Sequence, residues 1–348
     1  MATELRALGE QPQVEDGGVA WKGDARSVMR ANLWLRTASR VVVRVASFRA
    51  TRFHELERAA KRIPWERFLG PGTSPDFRVT ARKSKLYHSD AIAQRLANAS
   101  APTKRGEHEQ LFVVRVVRDE FEISADTSGD LLHMRGYRRA VAKAPLRETL
   151  AAALLLGADW SGRTALLDPF CGSGTIPIEG ALIARKIAPG LEREFAFMRW
   201  SGFDGTVWTD LRTEARAAIA TAASVPIHGS DRDAGAIEAS IGNAERAGVA
   251  GDIVWSKRAV SAIERTSGSG LVATNPPYGK RIRGGPDVRN VYAQFGKVVR
   301  ERLRAWKVAL YTTDASLANQ TRLDLTQEFQ TSSGGIRIGA WVGEIPGE

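Results

Sequence analysis

The sequence lacks several of the patterns that assign a chain to a specialised class of protein. Its 348 residues include one cysteine, Cys171, which excludes an internal disulfide and the usual Cys/His zinc clusters. The five histidines show no metal-ligand spacing, so we expect no metal site. No apolar run approaches the roughly 20 residues of a membrane helix, and the N-terminus lacks the apolar core of a secretion signal. These absences predict a cytoplasmic protein with no membrane partner.

What the sequence does contain is an ordinary globular composition with an uneven charge. Hydrophobic residues make up 43% and charged residues 26% of the chain, and the formal net charge is +11. Residues 1–143 carry 26 Lys+Arg against 17 Asp+Glu, whereas residues 144–348 carry 24 against 22. The basic excess therefore indicates a separate N-terminal module that holds a polyanion, with a merely solubilising surface as the alternative. The oligomeric state is left open.

The second half of the chain alternates apolar strands with helical segments and ends in a hairpin. This pattern predicts an α/β fold, a doubly wound Rossmann-like sheet with an antiparallel C-terminal hairpin. The first half mixes strands and helices in an α+β pattern. The predicted strands of the second half are 165–167, 225–229, 252–255, 270–274 and 308–311, with a final hairpin that turns at 333–335.

A glycine-containing turn lies between the first of these strands and a helix. Residues 168–175 read Asp-Pro-Phe-Cys-Gly-Ser-Gly-Thr, which brings the backbone and a helix N-terminus against a ligand. A nucleoside-triphosphate loop is disfavoured because no lysine ends the turn. The carboxylate of S-adenosylmethionine suits a helix N-terminus, and Asp168 could accept a hydrogen bond from its amino group. Cys171 is interpreted as a small loop residue rather than a nucleophile.

A second carboxylate should follow the next strand and reach the ribose of the cofactor. Asp231 stands at that place, and the alternative, that it is the N-cap of the following helix, is compatible with the ribose contact. The group that contacts the adenine of the cofactor is not assigned: a backbone group or Arg258 could do so, and Trp255 could line the ring. The predicted cofactor-binding residues are Asp168, Phe170, Gly172, Gly174, Thr175 and Asp231.

A second motif, Asn-Pro-Pro-Tyr at residues 275–278, follows the strand at 270–274. The Asn275 side-chain oxygen and the Pro276 carbonyl can both accept hydrogen bonds from an amino group, and Pro277 stiffens the loop. Tyr278 could offer its ring to a base. An ordinary proline turn is the alternative for the motif alone. Because both motifs follow parallel strands, they should lie on one rim of the sheet and transfer a methyl group to an amino nitrogen.

With both motifs placed, the second half resembles S-adenosylmethionine-dependent amino-group methyltransferases. More narrowly, the chain resembles bacterial enzymes that make N2-methylguanine in RNA and carry an N-terminal THUMP domain. The resemblance implies a guanine in 23S rRNA as the substrate, with tRNA as the alternative. An adenine-N6 methylase and a non-catalytic RNA-binding assembly factor are the other interpretations. Further stretches that carry the resemblance are 32–40 (Asn-Leu-Trp-Leu-Arg-Thr-Ala-Ser-Arg), 84–88 (Ser-Lys-Leu-Tyr-His), 126–130 (Asp-Thr-Ser-Gly-Asp) and 135–138 (Arg-Gly-Tyr-Arg).

The resemblance also implies the domain organisation and an RNA-binding surface. We expect a ferredoxin-like unit at 1–45, a THUMP domain at 46–125, a linker at 126–145 and the methyltransferase domain at 146–348. The chain begins inside the first helix, at Thr3–Leu8, so the ferredoxin-like unit is expected to be partial. The residues predicted to bind RNA are Arg82, Lys83, Lys85, Arg135, Arg138 and Arg281. A charged strand edge is the alternative for residues 82–85, and a solvated loop is the alternative for Arg281.

Overall fold

The chain forms two compact units, and both are discontinuous in sequence. The computed structural model describes residues 1–100, 106–138, 146–264, 268–278 and 288–347. The first unit combines Met1–Leu132 with Gly190–Glu214, and the second combines His133–Pro189 with Ala215–Glu348. The predicted methyltransferase domain, 146–348, is therefore not one unit, because the segment 190–214 belongs to the first.

The first unit contains two small sheets and several helices. Its elements are α1 (Ala2–Ala7), β1 (Gln13–Glu15), β2 (Gly18–Ala20), α2 (Ala25–Trp34), β3 (Val42–Arg49), α3 (Phe53–Ala60), β4 (Thr73–Arg82), α4 (Ser89–Ala99), β5 (His108–Val117), β6 (Glu120–Asp126) and most of α7 (Gly205–Ala217). In the described residues β1 and β2 form a hairpin, and the larger sheet has the order β3-β6-β5-β4.

The larger sheet buries one face against α3 and α4. Alternate residues of β5 are buried, as expected for a sheet that covers a core on one side. Phe112 stands at the centre of this core, where Trp65 packs edge-on against its ring at 5.0 Å between centroids. Strands β5 and β6 join at Arg118 and Asp119, which have φ values of 53° and 68°. This is the left-handed conformation that a two-residue hairpin requires.

Two of the family-like stretches meet in a buried polar clasp, defined by Asn32, Val41, Thr127 and Ser128. The Asn32 side chain donates to Thr127 Oγ1 and accepts from Ser128 Oγ, both at 2.8 Å. Thr127 donates to the Val41 carbonyl at 2.8 Å, and the Val41 N–H donates to Ser128 Oγ at 2.9 Å. The segments that contain the stretches 32–40 and 126–130 therefore supply hydrogen-bond partners to each other's buried polar groups.

The segment 190–214 packs onto the same part of the first unit. The Gly190 N–H donates to the Leu33 carbonyl at 2.9 Å, and the Phe197 N–H to the Thr127 carbonyl at 3.2 Å. The Trp200 indole donates to Gln110 Oε1 at 2.8 Å. Nothing in the sequence pattern of this irregular stretch predicts the attachment, because its partners are distant in the chain.

The second unit is built on a mixed sheet. Its elements are α5 (Glu148–Gly157), β7 (Ala165–Asp168), α6 (Thr175–Ala184), β8 (Ile227–Asp231), α8 (Ala234–Arg246), β9 (Val254–Lys257), β10 (Gly270–Thr274), α9 (Val288–Arg302), β11 (Lys307–Thr312), α10 (Ala315–Gln320), β12 (Thr326–Ser333) and β13 (Ile336–Glu344). In the described residues the strand order is β12-β13-β11-β10-β7-β8-β9, with seven strands.

The order of these strands confirms the predicted architecture. Strands β7 to β11 are parallel, β13 is antiparallel to β11, and β12 is antiparallel to β13. From β7 the chain moves outward through β8 and β9, and it then returns to β10 on the other side of β7. This reversal opens a crevice at the carboxyl ends of β7 and β10, where open α/β sheets bind their ligands.

The polar clasp yields a stability prediction. Asn32→Leu keeps a similar volume but removes the acceptor of the Ser128 hydroxyl in a buried site. We expect a loss of about 1–3 kcal/mol of unfolding free energy, measured by urea denaturation. Ser74→Ala is the control, since its hydroxyl is exposed and lies 3.3 Å from its acceptor; it should change stability by less than about 0.5 kcal/mol. Equal losses in the two variants would contradict the clasp.

Candidate active site

The carboxyl ends of β7 and β10 are joined by one short hydrogen bond. The Thr274 hydroxyl donates to Asp168 Oδ1 at 2.6 Å, and the Phe170 N–H donates to the same oxygen at 3.1 Å. Asp168 is 1% exposed. Burial raises the pKa of Asp168 to about 7, although the bonds from Thr274 and Phe170 lower it. The two sequence motifs are therefore adjacent, as predicted, and meet at a buried carboxyl group.

The two glycines of the turn have different surroundings. Both have left-handed backbones, with φ values of 53° at Gly172 and 83° at Gly174. A Cβ at Gly172 would enter open space, whereas a Cβ at Gly174 would lie 2.7 Å from the Trp255 ring and 3.0 Å from Ser240. Gly172 is therefore the position where a ligand can approach the main chain. Gly174 instead makes room for Trp255 inside the protein.

Helix α8 orients the glycine turn from behind. Ser240 Oγ donates to the Gly172 carbonyl at 2.9 Å, and Asn243 Nδ2 donates to the Ser173 carbonyl at 3.0 Å. Because a trans peptide points its N–H away from its C=O, the bond to the Gly172 carbonyl directs the Ser173 N–H to the opposite side of the turn. Sequence reasoning missed both residues. The available signal was a polar Ser240 within the apolar stripe of α8.

The other predicted cofactor residues surround the same turn. Thr175 is the first residue of α6 and is buried, and the Phe170 ring is half-buried against Phe295. Asp231 accepts from the Gly172 N–H at 3.1 Å, so it is close to the turn. The N-cap of α8 is Asp233, not Asp231, so that alternative was wrong. Burial raises the pKa of the Cys171 thiol, which therefore stays protonated as a loop residue.

The Asn-Pro-Pro-Tyr motif leaves β10 as an irregular segment. Asn275 Oδ1 is buried and, within the described part of the chain, accepts no hydrogen bond. Pro276 is buried and Pro277 is half-buried. The Tyr278 ring is 1% exposed and packs in the core of the second unit. An exposed stacking face was expected here, and the structure does not offer one.

Two of the predicted RNA contacts are corrected by the structure. The Arg135 side chain is 3% exposed and pairs with the buried Glu179 carboxylate at 3.1 Å. Arg138 pairs with Glu148 at 3.1 Å and donates to the Leu146 carbonyl at 2.7 Å. Both guanidinium groups are committed inside the second unit, because an arginine near a buried carboxylate must neutralise it. They are not placed to bind phosphate.

The remaining predicted RNA contacts lie elsewhere. Arg82, Lys83 and Lys85 are exposed on the first unit, at the end of β4. Arg281 lies outside the described residues. No group of three or more potential metal ligands occurs among the described residues. Within the same part of the chain, no helix is long and apolar enough to span a membrane.

Comparison with known proteins identifies the family. The profile of the RMKL-like methyltransferase domain matches residues 135–338, and that of the RlmL ferredoxin-like domain matches residues 1–42. The chain belongs to the RMKL-like methyltransferase family. A protein of Synechocystis, slr0064, described as a candidate RNA methyltransferase, is 34% identical over 96% of the chain and 91% of its own length. The ribosomal RNA large subunit methyltransferase K/L of Methylococcus capsulatus is 37% identical over 92% of this chain. The match covers only 46% of the length of that relative.

Solved structures support the same fold and the predicted cofactor. SMU.472, described as a candidate methyltransferase and crystallised with SAH, has a TM-score of 0.90 and 28% identity, covering 100% of this chain and 94% of its own. A Listeria monocytogenes protein named as a predicted N6-adenine-specific DNA methylase has a TM-score of 0.87 and 34% identity, covering 97% and 91%. This member of the RMKL-like family is an S-adenosylmethionine-dependent methyltransferase. The open cradle at Gly172 and the buried Asp168 fit that cofactor.

The raised pKa of Asp168 predicts that cofactor affinity depends on pH. The cofactor ammonium group should bind the ionised carboxylate, so below pH 7 binding must displace a proton. Between pH 7.5 and 5.5 the affinity for S-adenosylmethionine should fall about 25-fold in calorimetry, the linkage expected for one group of pKa about 7. Asp168→Asn should bind weakly with a flat profile. A wild-type profile that is also flat would contradict the contact.

The surroundings of the glycines predict opposite effects of two similar substitutions. Gly172→Val should weaken cofactor binding by about tenfold or more, since its side chain enters the space that the ligand approaches. Gly174→Val should instead lower the melting temperature, because it collides with Trp255 and Ser240. Gly248→Val is the control for backbone strain, with φ 70° and open space around it. The reverse pattern, with normal binding in Gly172→Val, would place the ligand elsewhere.

Proposed function

We propose that this member of the RMKL-like family transfers a methyl group from S-adenosylmethionine to the exocyclic N2 of a guanine in RNA, with 23S rRNA as the substrate. The observation that carries the proposal is Asn275 Oδ1, a buried acceptor with no hydrogen-bond partner in the described part of the chain. Leaving such an oxygen unsatisfied costs about 1–3 kcal/mol, which a substrate donor would recover. An amino group bound beside β10 is the donor that fits.

The chemistry asked of the protein is mainly the positioning and activation of the amine. The cofactor supplies a methyl group already activated by its sulfonium. The lone pair of an aromatic amine is delocalised into the ring, which makes the nitrogen a poor nucleophile. Asn275 Oδ1 and the Pro276 carbonyl would accept its two N–H bonds and draw the nitrogen toward tetrahedral geometry. Acceptors fixed in a buried loop contribute because they need no reorganisation during the reaction.

RNA as the substrate is supported by the first unit and by the relatives. The basic excess of the chain lies in residues 1–143, outside the catalytic motifs, as expected for a module that binds a phosphate backbone. The M. capsulatus relative is named for ribosomal RNA, and the Synechocystis relative for RNA. We propose a THUMP fold for residues 46–125 and, with ribosomal RNA as the substrate, a cytoplasmic location.

Two other functions would use the same residues differently. Adenine-N6 methylation needs the same two acceptors, and the name of the L. monocytogenes structure favours it. The basic first unit favours RNA over DNA, and a tRNA guanine would require no change in the catalytic motifs. A non-catalytic assembly factor would not need the buried acceptor at Asn275. The methylated nucleoside separates these functions.

The part played by Tyr278 follows from its burial. Because the ring lies in the core, its first contribution would be to hold the preceding loop, and stacking on a base would require the ring to turn outward. Tyr278→Phe keeps the packing, and Tyr278→Ala removes it. Loss of activity together with a lower melting temperature in the alanine variant alone would support the anchoring contribution.

The catalytic prediction concerns Asn275. Asn275→Ala should lower the methylation rate by about 100-fold or more, the cost of removing one preorganised polar group at a reacting centre. Its affinity for S-adenosylmethionine should be nearly unchanged, because the cofactor turn is intact. The substrate is RNA from cells that lack this protein, with the product nucleosides identified by mass spectrometry. Asn319→Ala, an exposed position on α10, is the control.

The expected product is N2-methylguanine. N6-methyladenine in the digest would transfer the protein to the adenine class while leaving the fold and the cofactor in place. Wild-type turnover in the Asn275→Ala variant would contradict the proposal that Asn275 binds the amine.

A further inference from the structure

An exposed aromatic pair stands on the first unit, between β4 and α4. Tyr87 is 64% exposed, and its ring lies against that of His88 with 4.1 Å between centroids and 37° between planes. The preceding Leu86 is 6% exposed and belongs to the core of the unit. Leu86 therefore fixes the segment while the next two rings face the solvent. The Tyr87 ring therefore offers an exposed aromatic face with a polar tip.

The backbone that carries this pair is held rigidly by the β5–β6 turn. The Lys85 N–H donates to Asp119 Oδ1 at 2.7 Å, and the Asp119 N–H donates to Ser84 Oγ at 3.0 Å. The Arg118 N–H donates to the Arg82 carbonyl at 3.2 Å. Three hydrogen bonds thus lock the two turns together. A surface ordered in advance loses less entropy when it binds.

The two interlocked turns concentrate positive charge. Arg82, Lys83, Lys85 and Arg118 are all exposed, and within the described residues none forms an ion pair. Asp119, the carboxylate between them, is 9% exposed and is used by the backbone bonds. Asp90 and Glu120 are exposed at the border of this group. The four cations therefore face the solvent beside the Tyr87–His88 pair.

Proteins bind unpaired nucleotides by combining basic side chains, which contact the phosphate backbone of the nucleic acid, with an exposed aromatic ring, on which a base stacks. A duplex keeps its bases stacked on one another, so it could use the cations but not the ring. We propose that Tyr87 and His88 form a stacking platform for an unpaired nucleotide of the RNA, with Arg82, Lys83, Lys85 and Arg118 contacting the adjoining phosphates. The inference rests on the proposed function, since it assumes that the substrate is RNA.

The experiment measures binding of the full chain to two labelled probes by fluorescence anisotropy at fixed salt. One probe is a ten-nucleotide oligoadenylate, and the other is a blunt RNA duplex of about 20 base pairs. Tyr87→Ala should bind the oligoadenylate about 5- to 150-fold more weakly, the range for losing one stacked base, and should bind the duplex with unchanged affinity. Tyr87→Phe should retain binding to both. Val14→Ala, which alters another exposed apolar side chain of this unit, is the matched control.

A charge variant completes the design. Lys83→Glu should weaken the binding of both probes, because phosphate contacts do not distinguish paired from unpaired RNA. Equal binding of Tyr87→Ala and wild type to both probes would overturn the platform while leaving RNA as the substrate. Equal weakening on both probes would also overturn it, since stacking must discriminate. Wild-type protein that binds neither probe would instead count against the proposed RNA function.

Discussion

The hydrogen bond between the Thr274 hydroxyl and the Asp168 carboxyl is the interaction on which the site depends. It joins the ends of two neighbouring parallel strands, one leading to the glycine turn and the other to the amine motif. A methyl group moves between two bound molecules only when both are held within about an ångström of the reactive geometry. By linking the loops at their roots, this bond makes the two halves of the site parts of a single rigid rim.

A second level of support comes from residues that would touch neither ligand. Ser240 and Asn243 hold two successive carbonyls of the turn, and Arg246 connects Asn243 to the Tyr137 carbonyl. Tyr137 in turn donates to Glu179, the carboxylate paired with Arg135. The stretch 135–138 thus braces the cofactor turn from inside the second unit. The charged side chains of this stretch form ion pairs and hydrogen bonds inside the unit, so these polar groups can be buried without destabilising the core.

The parts of the fold that were predictable from sequence are those set by local pattern. The turn between β7 and α6, the α4 helix at 89–99 and the final hairpin follow from apolar spacing and glycines near each element. Arg135 was misinterpreted because its partner, Glu179, is 44 residues away and a charge in a sequence does not reveal its counter-ion. Helix α7 ends at Ala217 although the alanine-rich sequence continues to Ala223, since alanine content alone does not mark a helix end.

The attachment of the segment 190–214 to the first unit has a consequence for how the protein is made. The chain leaves the first unit after Leu132, builds part of the second, and returns at Gly190. A ribosome must therefore synthesise about 80 more residues, which takes about 4–16 s, before the N-terminal unit receives its last segment. Until then the surfaces that Gly190, Phe197 and Trp200 will cover are exposed on the nascent chain. Completion of the first unit therefore awaits translation of residues 133–189, which belong to the second.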